Sequence, residues 1–341
     1  MKIVRNYPMS KVTTLGIGGP AKAFSVVKTE EELVETIKFA KEKGMDFVII
    51  GGGSNLLVSD RGVNKLIIKN EVAGITSVHT GGMLSVKSGT PLQELVDFSI
   101  SHSLSGLQKL TGIPGTVGGA VYGAVGAYGM EIIDHIVSVK TLSPNMLASE
   151  DRDFLLSQSE AILRNKKSDR AKQPKVLFLT KKDCDFGYRD SIFKTNKMII
   201  LEATFQLEPG NTEELRKEAA EILNKRLKKY PKGIKCPGSF FKNIVAETLP
   251  KEILDKIPSD KIVYDKIPAG SLLESVGAKG DKLNGIEIAP YHANLFINEK
   301  QGAAKDFYKL AEKYYRLVYQ KFGIKLEPEV QLINLPPLQN P

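Results

Sequence analysis

The chain has 341 residues, 42% of them hydrophobic, which is enough to bury more than one core, and 48 Lys and Arg against 39 Asp and Glu leave a formal charge of +9. That excess favours anionic partners. Basic and acidic residues are nevertheless interspersed, and no nucleic-acid-binding motif accompanies the cluster Lys225, Arg226, Lys228 and Lys229, so a phosphorylated small molecule fits better than nucleic acid. Cys184 and Cys236 lack metal-ligand or CxxC spacing, no secretory signal opens the chain, and no run approaches the about 18 apolar residues that span a bilayer. A cytoplasmic enzyme with no metal and no membrane contact is the expectation.

The first elements are a strand at Ala23-Phe24-Ser25-Val26-Val27 and a helix opened by a Thr29/Glu32 capping box, with Leu33, Ile37 and Ala40 on one face and Gly44 as its stop. Phe47-Val48-Ile49-Ile50 then reads as a buried strand running into Gly51-Gly52-Gly53-Ser54-Asn55. From about residue 66 the pattern turns strand-rich, broken by a helix that Thr90-Pro91 announces, and a second glycine-dense stretch runs from Gly112 to Gly129. Residues 144–182 are polar and charged, with a possible helix from Arg152 to Asn165, and read as an insertion.

Strands resume at Met198-Ile199-Ile200-Leu201, and Asn211-Thr212 starts an amphipathic, increasingly basic helix to about Lys229. A long helix follows with Phe307, Leu310, Ala311, Tyr314 and Val318 on one face and Gly323 as its stop. Residues 324–331 read as a last strand bearing Glu327 and Glu329, and 335–341 as a loose tail. A domain boundary near 210 is expected.

Glycine clusters expose backbone N–H groups that can cradle a pyrophosphate, yet neither cluster is a Walker loop or a Gly-x-Gly-x-x-Gly turn opening a helix, which disfavours a P-loop or Rossmann fold. Taken together the motifs are more specific. Gly51 to Leu57 with Asp60, Gly112-Ile113-Pro114-Gly115-Thr116-Val117-Gly118-Gly119-Ala120, Gly126-Ala127-Tyr128-Gly129, Phe186-Gly187-Tyr188-Arg189-Asp190-Ser191, Pro237-Gly238-Ser239-Phe240-Phe241-Lys242-Asn243, Ile267 to Gly270, His292-Ala293-Asn294 and Leu326-Glu327-Pro328-Glu329-Val330 come in a fixed order. In that order the chain closely resembles the UDP-N-acetylenolpyruvoylglucosamine reductases (UDP-N-acetylmuramate dehydrogenases, the MurB family). The resemblance covers nearly the whole chain apart from the insertion.

The resemblance implies an α+β fold: a flavin domain of the vanillyl-alcohol-oxidase (PCMH) type in two subdomains, here 1–70 and 71–210, with a C-terminal α+β substrate domain at 211–334. It implies FAD as cofactor, NADPH as co-substrate, and reduction of UDP-N-acetylglucosamine enolpyruvate to UDP-N-acetylmuramate for peptidoglycan synthesis. Carried over residue by residue, Ser239 would give the proton to C2, while Arg189 and Glu329 would stabilise charge on the substrate carboxylate. Gly51, Gly52, Gly53, Ser54, Asn55, Gly115, Thr116, Gly118 and Gly119 would hold FAD, and Tyr188, Lys242, Asn243 and His292 the substrate. The basic helix end, Arg226 to Tyr230, suits the UDP diphosphate or simply a solvated face.

From residue type alone Ser239 is equally a turn residue, Arg189 a surface ion-pair partner and Glu329 a solvated strand carboxylate; the matching motifs favour the functional roles. Glu327 competes with Glu329, since residues two apart share a strand face. Ala124-Val125 departs from the Asn-Ala of many relatives, which puts local flavin contacts in question. Another FAD oxidoreductase of the same fold would share the flavin loops but need not keep the Ser239 and Glu329 motifs, and a silent UDP-sugar or flavin binder would tolerate loss of the donor. No protein partner is implied.

Overall fold

A computed structural model describes residues 1–77, 81–143 and 175–338. The described backbone gathers into two compact units: Val26–Gly51 with Ile68–Ile222 (and Met1), and Lys2–Ser25 with Gly52–Ile67 and Leu223–Pro341. These units do not follow the boundaries expected at 70 and 210, because two N-terminal stretches join the C-terminal part.

The first unit is built on a five-stranded antiparallel sheet in the order Lys175–Thr180, Ile136–Ser143, Ile199–Gln206, Met83–Lys87, Ile75–Ser77. Ile199–Gln206 sits at its centre and has the apolar composition of a strand that packs on a core, with Leu201, Ala203 and Phe205 almost fully buried. Leu92–Ser101 and Val117–Tyr122 place Leu95, Val96 and Val121 in the same core as Leu84, Val86 and Phe205. Residues 175–180, which sequence assigns to the insertion, instead form an edge strand of this sheet: Val139 faces Leu179, and the alternation Leu177, Leu179 turns apolar side chains to the core. Residues 144–174 of the insertion, including the helix expected from Arg152 to Asn165, lie outside the described residues.

Helix ends in this unit follow local chemistry. Glu30–Glu42 begins where the Glu32 N–H donates to Thr29 Oγ1, the first half of the expected capping box; the return bond to Glu32 Oε2 comes from the Lys28 N–H, one residue before the cap, instead of from Thr29. Asn211 Oδ1 accepts from the Glu213 and Glu214 amides to start Thr212–Lys229. Lys87 bridges Glu30 and Glu202, each at 2.5 Å, and Lys140 reaches Glu30 at 2.8 Å.

In the second unit Phe240, Phe241, Phe296 and Phe307 form an aromatic core, with ring centroids 4.7 Å apart for Phe240 and Phe241 and 5.1 Å for Phe296 and Phe307. Phe307 comes from the helix Ala304–Phe322, whose buried stripe matches the one read from sequence. That helix ends at Gly323 with φ +72, the left-handed cap expected. Its start is capped from far away, because the Ala304 and Lys305 amides donate to the Asp60 carboxylate at 2.8 and 2.9 Å.

Two expectations at the C-terminus need correction. The last strand is Gln331–Ile333, parallel to Leu56–Val58, whereas 324–330 makes only an isolated bridge between Phe241 and Pro328; Pro328 has no N–H with which to continue a ladder. Residues 335–338 are not a loose tail: Leu335 and Leu338 pack on the aromatic core, and Tyr308 Oη donates to the Pro337 carbonyl at 2.9 Å.

Candidate active site

Ser239 lies on an irregular segment that is held on both sides by backbone bonds. On one side Ser239 bridges to Leu295 and the Phe240 N–H donates to the Asn294 carbonyl at 3.0 Å. On the other, the Glu329 N–H donates to the Phe240 carbonyl at 2.7 Å and the Lys242 N–H to the Glu327 carbonyl at 2.9 Å. Asn294, only 2% exposed, clamps the segment by accepting from the Phe241 N–H at 2.9 Å and donating to the Phe241 carbonyl at 2.8 Å. Backbone register thus brings Ser239 and Glu329 onto neighbouring segments.

The competition between the two glutamates is informed by geometry. Glu327 is exposed and its carboxylate is paired with Lys242 Nζ at 2.9 Å. Glu329 is half-buried, and its carbonyl accepts from Asn55 Nδ2 at 3.0 Å while the Gln331 N–H donates to the Asn55 carbonyl at 3.0 Å. Asn55, assigned to the flavin loop from sequence, therefore also fixes the backbone at Glu329.

Around Ser239 Oγ the nearest partner is Tyr230 Oη at 3.3 Å. Arg226 and Lys229 each stand against the Tyr230 ring, at 5.3 and 5.2 Å from its centroid. Burial, with the Arg226 charge beside it, draws the Lys229 ammonium down to about 8. His292 is pushed down to about 4 by burial and then by Lys229, and its Nδ1 accepts from the Asn294 N–H at 3.1 Å, as a neutral ring does. Asn243 Oδ1 accepts from the Ala269 N–H at 3.2 Å, at the start of Ala269–Ser275.

Arg189 belongs to the first unit. It sits with φ +54 in the tight turn Gly187–Asp190, closed by reciprocal backbone bonds of 3.1 and 3.0 Å. Its guanidinium donates from Nη1 to the Ala124 carbonyl at 2.9 Å and from Nη2 to the Gly126 carbonyl at 2.6 Å, so its plane is fixed by two uncharged acceptors. The departure at Ala124-Val125 thus falls on backbone that holds Arg189. Tyr188 lies 5.6 Å beneath the guanidinium.

The two glycine loops fit a pyrophosphate-bearing cofactor in chemistry: 51–55 and 112–119 carry no acid, and Ser54, Asn55 and Thr116 add uncharged polar groups. Gly53 has φ +66, and a Cβ there would lie 1.9 Å from the Val12 carbonyl oxygen, so only glycine lets this loop adopt its path. Two of the donors expected to face the cofactor are engaged within the protein, the Gly118 N–H by the Ser88 carbonyl at 2.8 Å and the Gly119 N–H by Thr116 Oγ1 at 3.3 Å. Among the described residues no acidic, Cys or His cluster could hold a metal ion, and no helix is long and apolar enough to cross a membrane.

Tyr230 and Asn294 carry more of this geometry than their sequence context announced. The His292-Ala293-Asn294 motif was the available signal for Asn294; Tyr230 was visible only as the end of the basic helix.

Comparison with known proteins bears on the family and on the cofactor-binding fold. Residues 21–145 match the family model described as an FAD binding domain, and 229–333 match that of the UDP-N-acetylenolpyruvoylglucosamine reductase C-terminal domain. The UDP-N-acetylenolpyruvoylglucosamine reductase of Solibacter usitatus is 36% identical over 96% of this chain and 95% of its own length; that of Carboxydothermus hydrogenoformans is 33% identical over 97% and 94%. The crystal structure of the Thermus caldophilus enzyme superposes with a TM-score of 0.67 at 28% identity, covering 97% of this chain and 98% of that one. The α+β fold carries an FAD-binding domain of the vanillyl-alcohol-oxidase type, and the chain belongs to the UDP-N-acetylenolpyruvoylglucosamine reductase family.

Proposed function

We infer that the chain reduces UDP-N-acetylglucosamine enolpyruvate to UDP-N-acetylmuramate with electrons from NADPH, a step of peptidoglycan synthesis, and that it does so in the cytoplasm. The loops 51–55 and 115–119 would hold FAD, which when bound would supply the hydride for C3 of the enolpyruvyl ether. The remaining chemistry falls to the protein.

Ser239 donates the proton to C2. A hydroxyl is a weak acid, but its acceptor is an α-carbanion or enolate, a base strong enough to take that proton. Arg189, its fork oriented by the Ala124 and Gly126 carbonyls, receives the substrate carboxylate whose charge grows as hydride arrives. Glu329 shares the hydrogen bonding at the developing enol. Lys229 supplies positive charge to the diphosphate, and Tyr188, Lys242, Asn243 and His292 line the substrate. The division into 1–70, 71–210 and 211–334 is kept as the functional one: two flavin subdomains and a substrate domain.

The observation that carries this reading is the 2.7 Å bond from the Glu329 N–H to the Phe240 carbonyl, which puts acid and hydroxyl on adjacent segments. The test is a visible spectrum under anaerobic conditions. Flavin absorbance should bleach with NADPH and return on adding UDP-N-acetylglucosamine enolpyruvate, and Ser239→Ala should block only the return. A flavin that bleaches but ignores the substrate indicates another oxidoreductase of this fold; one that never bleaches indicates a silent binder.

A further inference from the structure

Ser239 cannot act as an isolated acid without leaving an alkoxide behind in a half-buried site. A phenol, with pKa near 10, is a far stronger acid than a serine hydroxyl. The oxygen nearest to Ser239 Oγ that could replace its proton is Tyr230 Oη, at 3.3 Å. That separation is long beside the about 2.7–2.8 Å usual for paired hydroxyls, and catalytic hydrogen bonds of this kind tighten when substrate is bound.

The surroundings of Tyr230 suit a group that releases a proton briefly. Arg226 and Lys229 flank its ring, and positive charge there favours the tyrosinate that forms. The other titratable groups facing it are Cys236, Tyr291 and Glu329, and Cys236, Ala289 and Leu295 form the apolar cluster on which the ring packs. Burial raises Tyr230 above the ordinary tyrosine range, so it rests protonated at neutral pH.

We propose that Tyr230 is a positioning residue for proton delivery: its phenol donates to Ser239 Oγ as Ser239 gives its own proton to C2 of the substrate. The inference rests on Ser239 as the donor. In the balanced step hydride adds at C3, the Ser239 proton forms the C2–H bond, and the Tyr230 proton moves to Ser239 Oγ. Tyrosinate is the conjugate base left, and solvent reprotonates it before the next turnover.

The test separates the two half-reactions by stopped-flow in the flavin-loaded protein. Tyr230→Phe keeps the ring and its cation contacts, and should slow flavin reoxidation by substrate about 100-fold while reduction by NADPH stays within twofold. The proton inventory of reoxidation in mixed light and heavy water should be curved in the wild type, two protons moving, and linear in the variant. Substitution of Tyr230 by fluorotyrosine, a more acidic phenol, should restore the rate and move the basic limb of its pH profile to lower pH.

Outcomes distinguish this inference from its foundation. If Ser239→Ala reoxidises as fast as wild type, the donor assignment fails and the relay with it. If Ser239→Ala is slow but Tyr230→Phe stays within threefold, the relay alone is overturned. A slow Tyr230→Phe that keeps a curved inventory is likewise against the relay, because loss of packing alone would leave the proton count unchanged. In the flavin-free protein, ring-labelled tyrosine NMR gives an independent reading: the resonance lost in Tyr230→Phe should titrate to higher pH in Ser239→Ala, and an unmoved titration would deny the hydrogen bond.

Discussion

The two halves of the proposed chemistry are held by different means. Arg189, in the first unit, is aimed by its own side chain, with two guanidinium nitrogens bound to the Ala124 and Gly126 carbonyls on a tight turn. Ser239 and Glu329, in the second, are placed by backbone register, with the 240–242 segment bonded to 294 on one side and to 327 and 329 on the other. A side-chain fork fixes a direction and depends on the shape of one group. A backbone lattice fixes positions and is indifferent to most of the side chains it carries. The first arrangement should fail in chemistry while the fold survives, and the second should fail in stability first.

The sharpest break is Asn294→Ala, which deprives the buried Phe241 N–H and carbonyl of partners at once. It should cost about 3 kcal/mol of stability, seen as a lower denaturation midpoint with an unchanged slope, and activity should fall with it. Arg189→Lys keeps the charge and loses the fork. Reoxidation of reduced flavin by substrate should slow about 100-fold while the denaturation midpoint barely moves; a large stability loss there would erase the contrast.

Within the second region, the lowered proton affinity of Lys229 gives a pH signature. Lys229 carries its charge below about 8 and loses it above, so KM for the UDP substrate should rise about tenfold over one to two pH units above that point, with kcat little changed. In Lys229→Arg, which stays charged, the rise should vanish. The smallest effect concerns the sheet beneath the first region, where Lys87 and Lys140, opposing the burial that acts the other way, hold Glu30 and Glu202 below the usual carboxylate range. Each carboxylate binds protons more readily unfolded than folded, so the network's contribution is whole above the unfolded value near 4.5 and drains away as pH falls through the lower folded values. Lys87→Met should cost about 1 kcal/mol at neutral pH and flatten the acid limb of the stability curve.

What sequence made legible was what is local. Thr29 and Glu32 are three residues apart, Asn211 caps the amides at 213 and 214, and Gly323 acts on the turn just before it. The same reasoning misjudged 324–331, because alternation of polar and apolar residues suggests a strand while the ladder depends on a partner and on an N–H that Pro328 lacks. It also missed the edge strand at 175–180, where charged neighbours hid a short alternating run. The candidate site was legible through motif order, not periodicity. Its supports were not: Asn294 meets Phe241 across 53 positions and Asn55 meets Glu329 across 274, separations over which no local pattern speaks. Tyr230 is only nine positions from Ser239, just past the end of the helix Thr212–Lys229, but an irregular loop lies between them.

The distant cap on the helix Ala304–Phe322 has a consequence for how the protein is made. Asp60 leaves the ribosome long before residues 304 and 305, whose amides it will satisfy, and the second unit draws on 2–25, 52–67 and 223–341 together. The strands Val4–Pro8, Pro20–Val27 and Val63–Asn70 can pair in that order as soon as residue 70 is made, but the rest of the second unit must wait until most of the chain has been synthesised, while the sheet of the first unit is already complete at residue 206. Growth of the chain thus orders assembly by inclusion: the first unit can close first, and the second closes only once its segment from residue 223 onward has been made.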